Sequence, residues 1–119
     1  MNKLAFIFSH GPHGKAAGRE GLDALLAASA LIDDIGVFFI SDGVLLLLPQ
    51  QQPKEILSRD FIATFGLLSV YDLDKLYLCA ESAMKRGLDL DTNLILNAQW
   101  LSSLDWRFRL SSYNTIITF

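Results

Sequence analysis

Cysteine is nearly absent from this chain: Cys79 is the single one in 119 residues. One thiol makes no internal disulfide and no multi-cysteine zinc site, which leaves Cys79 as either a packing residue or a chemical one. Histidine is almost as scarce, with His10 and His13 alone. Two ligands are not a metal site without a carboxylate or thiol placed to complete it. Positive charge is short as well. Ten lysines and arginines face thirteen acids, a net charge of −3, which argues against an electrostatic grip on nucleic acid. Long apolar runs are missing too. The longest, residues 37–48, is interrupted by Ser41, Asp42 and Gly43 and falls short of the ~18 to 20 residues that span a bilayer. The first residues carry one lysine and too short an apolar run for a secretion signal. A cytoplasmic location without membrane contact is the expectation.

What the chain has in abundance is apolar side chains: 51% of it is hydrophobic and mean hydropathy is +0.33. That pattern suits strands buried on both faces, or an apolar surface covered by partner subunits. At this length residues 1–119 are expected to form one domain, burying roughly two-thirds of the unfolded surface.

Along the chain, apolar runs alternate with helical periodicity. Residues 4–8 are a first strand, followed by a loop with Gly11, Pro12 and Gly14. Leu22, Leu25, Ser29 and Ile32 then recur three and four apart, a helix expected to end near Asp33 and Asp34 with Gly36 as its C-terminal punctuation. Residues 37–40 are a second strand, and residues 44–48 a short helical turn before Pro49. A helical pattern covers residues 54–68, and residues 71–74 are a turn. Residues 76–79 are a third strand, residues 81–86 a short helix closed by Gly87, and Asp89 and Asp91 mark a turn. Leu94, Ile95 and Leu96 suggest a fourth strand. A helix capped by Ser102 or Ser103 follows, with Leu101, Leu104, Phe108 and Leu110 as its apolar positions, and residues 115–119 are a fifth strand. Strict alternation predicts an α/β fold: a three-layer α/β/α domain with a five-stranded parallel sheet.

The loop from Gly11 to Lys15 invites comparison with a nucleotide phosphate loop, but two residues separate its glycines instead of four and Ala16 follows the lysine. Nucleotide binding fails on spacing, and the histidines read as surface or capping residues. Cys79 is the other chemical position. It ends a predicted buried strand just before a helix, at the sheet edge where α/β folds bind ligands. A helix N-terminus favours thiolate, Lys85 and Arg86 add positive charge at the far end of that helix, and Glu81 opposes it. A buried, inert cysteine and a reactive thiol both stand. Trp100, Trp106, Arg107 and Phe108 read as a helix packing face, not a nucleic-acid platform.

Specific residues add a resemblance. Phe6, Ile7 and Phe8, then Pro12, His13 and Gly14, then the run from Ala16 to Leu26 resemble the DsrE/DsrF-like family of sulfur-relay proteins. So do residues 37–40 with Asp42, Gly43 and Val44, the run 59–65, Leu78, Cys79 and Ala80, Arg86, Gly87 and Leu88, and the closing Ile116, Ile117, Thr118 and Phe119. The resemblance spans essentially the whole chain and is densest before residue 90. It implies an α/β/α fold and membership of a dimer of heterotrimers with TusB-like and TusD-like subunits. That complex would pass persulfide sulfur, through a TusE-like acceptor, toward 2-thiolation of the tRNA wobble uridine. No cofactor, metal or direct nucleic-acid contact is implied. The sulfur-carrying cysteine of such complexes belongs to the TusD-like subunit; Cys79, with Arg86 and Gly87 after it, falls where that cysteine would lie. Glu81 stands where the carrier pattern is uncharged. The resemblance therefore implies a structural and docking subunit, with Cys79 as the candidate persulfide site of the alternative, an active carrier.

Overall fold

The computed structural model describes residues 3–11, 17–48, 73, 75–92, 94 and 98–119. Its centre is a run of apolar strands: β1 (Lys3–Phe8), β2 (Asp34–Phe39) and β3 (Leu76–Cys79), buried along almost their whole length. Two further strands, β4 (Gln99–Leu101) and β5 (Thr115–Thr118), complete a five-stranded sheet in the order β4-β3-β2-β1-β5. Every pairing is parallel, as expected of an alternating α/β chain. Continuous apolarity in the three central strands follows from that position, since both faces of each are covered.

Alternate residues feed two clusters. On β1, Leu4, Phe6 and Phe8 join Val37 and Phe39 of β2 in the first. Helix α1 (Ala17–Ser29) contributes Leu22 and Leu25 to it, and a 3-10 helix (Ser41–Leu47) contributes Val44, Leu46 and Leu47. Ala83 of helix α2 (Ala80–Lys85) belongs to the same cluster. Ala5 and Ile7 point the other way, into a second cluster with Phe38, Tyr77, Cys79 and Leu101, closed by Trp106 of helix α3 (Ser103–Leu110) and by Tyr113. Helices therefore cover both faces, the three-layer arrangement expected.

The structure departs from the sequence reading at several points. Helix α1 stops at Ser29 instead of running to Asp33. Its last turn tightens through the Leu31 N–H to Ala28 carbonyl bond (2.9 Å), and the Ser29 hydroxyl donates to the Leu26 carbonyl (2.7 Å). Gly36 punctuates nothing: it lies inside β2, and the Tyr113 ring occupies the space a Cβ would need. Asp34 opens that strand, held by Lys75 at 2.7 Å, and the ion pair keeps its carboxyl below the usual carboxylate range.

The fourth strand is Gln99–Leu101, whereas Leu94 lies outside any strand. An edge strand with Gln99 exposed and Trp100 half-buried carries no continuous apolar run, so periodicity missed it. In α3 half of the expected apolar positions, Leu104 and Phe108, are turned outward, whereas Leu110 packs on the second cluster and Leu101 is buried at the end of β4. Trp106 is buried while Leu104 and Phe108 are 76% and 79% exposed. The Ser102 hydroxyl caps this helix by accepting from the Asp105 N–H (3.2 Å). Ile95, Leu96, the helical pattern over 54–68, and the turn 71–74 apart from Leu73 lie outside the described residues.

Candidate functional site at the carboxyl edge of the sheet

The carboxyl ends of β1, β2, β3 and β4 bring Ser9 and His10, Ile40 to Gly43, Cys79, and Ser102 to one edge. Cys79 is the last residue of β3 and the residue before α2, with extended backbone (φ −74°, ψ 111°) and no capping bond from its side chain. Its register partner on β4 is Leu101. Cys79 is 2% exposed, inside the cluster that holds Phe38, Tyr77, Trp106 and Tyr113. The sheet order sets it away from the switch of strand order, which lies between β1 and β5.

The polar groups around that edge are spent on one another. Arg86 donates from Nε to Asp42 Oδ1 (2.8 Å) and from Nη1 to the Ser82 carbonyl (3.0 Å). Its charge is committed to the 3-10 helix and to the last turn of α2. Lys85 is exposed at the same far end of that helix. Glu81 is exposed and accepts from the Ser103 N–H (3.4 Å), so its carboxylate sits at the N-terminus of α3, where the helix dipole favours it. Neither expected cation is shown beside the sulfur.

Ser41 takes a left-handed backbone (φ 53°), which costs a non-glycine residue about 1 to 2 kcal/mol. Its N–H donates to Ser82 Oγ (3.0 Å), tying the end of β2 to α2. Two residues on, Gly43 passes so close to the Phe8 carbonyl that a Cβ there would collide with backbone. Sequence reading took Ser41, Asp42 and Gly43 only as a turn and missed the Asp42–Arg86 and Ser41–Ser82 links. The signal was there: a polar turn at the end of a buried parallel strand, and an arginine just before the helix-closing glycine. Gly87 closes α2 with φ +82°, as its place in the sequence predicted.

Of the first loop, Gly11 is described, and a Cβ added there would rest at van der Waals distance from Asp42; His13 and Lys15 lie outside the described residues. His10 Nδ1 is 3.4 Å from Ser9 Oγ, and the Ser9 hydroxyl also donates to the Phe119 carbonyl (3.0 Å). Among the described residues no group of three or more His, Cys, Asp or Glu could hold a metal ion, and no helix is long and apolar enough to cross a membrane. One polar atom stands out: Trp106 Nε1 is buried with no hydrogen-bond partner.

Comparison with known proteins adds to this geometry. Residues 2–119 match the family model described as the DsrE/DsrF-like family. The chain is 56% identical over 119 residues, the full length of both proteins, to Protein TusC of Klebsiella pneumoniae subsp. pneumoniae, and equally to Protein TusC of Klebsiella pneumoniae strain 342. Among solved structures, the ychN protein from E. coli superposes with a TM-score of 0.80 over the whole of both chains. At 20% identity, that likeness speaks for the fold alone.

Proposed function

Because the chain belongs to the DsrE/DsrF-like family, we propose that it is a structural and docking subunit of a cytoplasmic sulfur-relay complex. In this reading it assembles with TusB-like and TusD-like subunits as a dimer of heterotrimers. The complex passes persulfide sulfur to a TusE-like acceptor on the way to 2-thiolation of the tRNA wobble uridine. One observation supports the docking role over the carrier role: Cys79 is buried, at 2% exposure. A sulfur donor must bring its own persulfide into line with an attacking thiolate, and a cysteine buried in an apolar cluster gives it little approach. The nearby arginine, held by Asp42 and the Ser82 carbonyl, supports the same reading, since it is not free to stabilise a persulfide anion.

The alternative keeps Cys79 as a carrier. There, the Cys79 thiolate would attack the outer sulfur of the donor's persulfide. The new S–S bond forms on Cys79, the donor's S–S bond breaks, and the donor leaves as a thiolate. Its place just before a helix at the carboxyl edge of the sheet favours this second reading. A Cys79→Ser chain expressed with TusB-like and TusD-like partners separates the two. The docking role predicts that the variant co-purifies with both and that wobble-uridine thiolation persists. Loss of thiolation with the complex intact, together with one added sulfur mass on wild-type Cys79, establishes the carrier. Failure of the wild-type chain to co-purify with either partner sinks the docking reading.

A further inference from the structure

The two faces of the sheet are covered unequally. Strands β1 to β4 step across the sheet in one direction, and right-handed connections carry α1, the 3-10 helix and α2 to the first face. The connection from β4 to β5 returns across the sheet and lays α3 on the other face. Among the described residues, α3 is therefore the one helix over the second cluster, and it packs on β3 and β4. Cys79 ends β3 on that face, beside its register partner Leu101.

The hold on α3 is slight. Of its eight residues only Trp106 is buried, with Leu110 half-buried against the same cluster. The Trp106 indole N–H has no partner, which offsets part of what burying the ring contributes. Two surface contacts add to this anchor. The Ser103 N–H reaches Glu81 Oε1 at a long 3.4 Å, and the Arg109 guanidinium lies 5.1 Å from the centre of the Tyr77 ring. Strand β4, which leads into the helix, is three residues long and pairs with β3 alone. A helix this short has no stability of its own in water. The first face, in contrast, is covered by α1, the 3-10 helix and α2 through Leu22, Leu25, Val44, Leu46, Leu47 and Ala83.

We propose that α3, together with β4, is a lid over Cys79 that opens locally while the first face and the three central strands stay folded. Opening takes Trp106 and Leu101 out of the cluster that encloses Cys79 and brings that residue to solvent; closing buries it again. Few buried contacts and a short edge strand are what let a segment open at a lower free energy than global unfolding. Glu81 is the strap, because it joins the helix that follows Cys79 to the N-terminus of the lid. The inference deepens the sulfur-relay reading and rests on it only for the use of the lid. A shut lid suits a docking subunit, and an open one is what the carrier alternative requires before a donor reaches Cys79.

Cys79 is the single thiol of the chain, so an aromatic disulfide reagent reports on it alone. Exchange leaves half of the reagent on the sulfur and releases the other half as a coloured thiolate. The full-length chain is labelled without urea and at urea concentrations below its unfolding transition, and the rate is compared with what global unfolding permits. Labelling without urea is expected to exceed that limit by about tenfold or more, and to change little with urea, because a lid exposes little surface. Ser102→Ala, which removes the cap of α3, should speed labelling about 5-fold. Glu81→Ala, which removes the strap, should speed it about 2- to 5-fold. Ile35→Val, in the first cluster, should lower the urea midpoint and leave labelling without urea unchanged. Labelling that follows the full urea slope of global unfolding from the start, or that Ile35→Val accelerates in step with its loss of stability, overturns the lid. A rate indifferent to both Ser102→Ala and Glu81→Ala overturns α3 as the moving part, and a rate equal to that of the unfolded chain means that nothing covers Cys79. Co-purification with TusB-like and TusD-like partners is independent of all these results, so failure of the lid and failure of the relay reading are told apart.

Discussion

Phe38 and Phe39 are neighbours on β2, both with no exposed surface, and they face opposite sides of the sheet. Phe39 enters a cluster of leucines, valines and phenylalanines and stacks on Phe8 with ring centroids 5.6 Å apart. Phe38 enters a cluster of aromatic rings with polar tips: Tyr77 at 4.9 Å, and Trp106 and Tyr113 edge-on at 5.4 and 5.5 Å. Among the described residues, the fully buried members of the first cluster are all hydrocarbon, with one indole, Trp100, half-buried at its margin. The second has to accommodate a thiol, two phenols and an indole N–H as well. A cluster of the first kind holds a fold together by area, whereas one of the second kind depends on where each polar tip ends up. Cys79, the candidate for sulfur chemistry, sits on the second face.

The largest expected effect tests that contrast. Phe38→Ala and Phe39→Ala should each cost about 3 to 5 kcal/mol in urea unfolding, because both delete a fully buried ring. The leucine variants separate the faces. Phe39→Leu keeps most of the apolar volume in an aliphatic setting and should cost less than about 1.5 kcal/mol. Phe38→Leu loses three aromatic contacts, each worth about 0.5 to 1.5 kcal/mol beyond area, and should cost clearly more. Equal costs for the two leucine variants would show that ring geometry on the second face adds nothing.

The same contrast explains which parts of the fold were legible in the sequence. β1 and β3 were readable because a central parallel strand is apolar at every position, and residues 4–8 and 76–79 show just that. Gly87 was readable because a left-handed helix end demands glycine. β4 and the facing of α3 were not. An edge strand reads Gln-Trp-Leu, too mixed and too short to register, and in α3 two well-spaced apolar residues point away while Trp106, with Leu110 beside the same cluster, anchors the helix. Periodicity counts apolar residues and does not weigh their size or know which side has a neighbour. The site was half legible. The place of Cys79 at the carboxyl edge followed from its strand, but the pairing of Arg86 with Asp42 joins residues 44 apart and leaves no local pattern.

A smaller effect is expected at Trp106. Its indole N–H is buried without a partner, a situation that costs about 1 to 3 kcal/mol. Trp106→Phe removes the orphan donor and also shortens the ring system, and these changes oppose one another. The net should lie within about 1.5 kcal/mol of wild type. A loss much beyond 2 kcal/mol would mean that this N–H is hydrogen-bonded in the folded protein, and that the second face is better satisfied than its geometry indicates.

The smallest effect is confined to alkaline pH and belongs to the second face alone. Burial pushes the Tyr113 phenol up from 10.0 to about 12, with the neighbouring Tyr77 as the next cause. An acid whose folded pKa lies above its unfolded value is held in its protonated form by the fold. The stability it contributes is complete below pH 10 and is lost as pH rises through about 12. Stability measured by urea unfolding between pH 9 and pH 12 should therefore fall more steeply for the wild type than for Tyr113→Phe, which has no phenol to ionise. The curves should run parallel below that window, offset by whatever the hydroxyl contributes beside Gly36. A Tyr→Phe change on the first face has no counterpart among the described residues, none of which in that cluster is a tyrosine. If Tyr113→Phe retains the full alkaline slope, the phenol is not enclosed. The second face is then open to water at the end of the sheet opposite Cys79, and the contrast between the two faces is one of packing density as well as of chemistry.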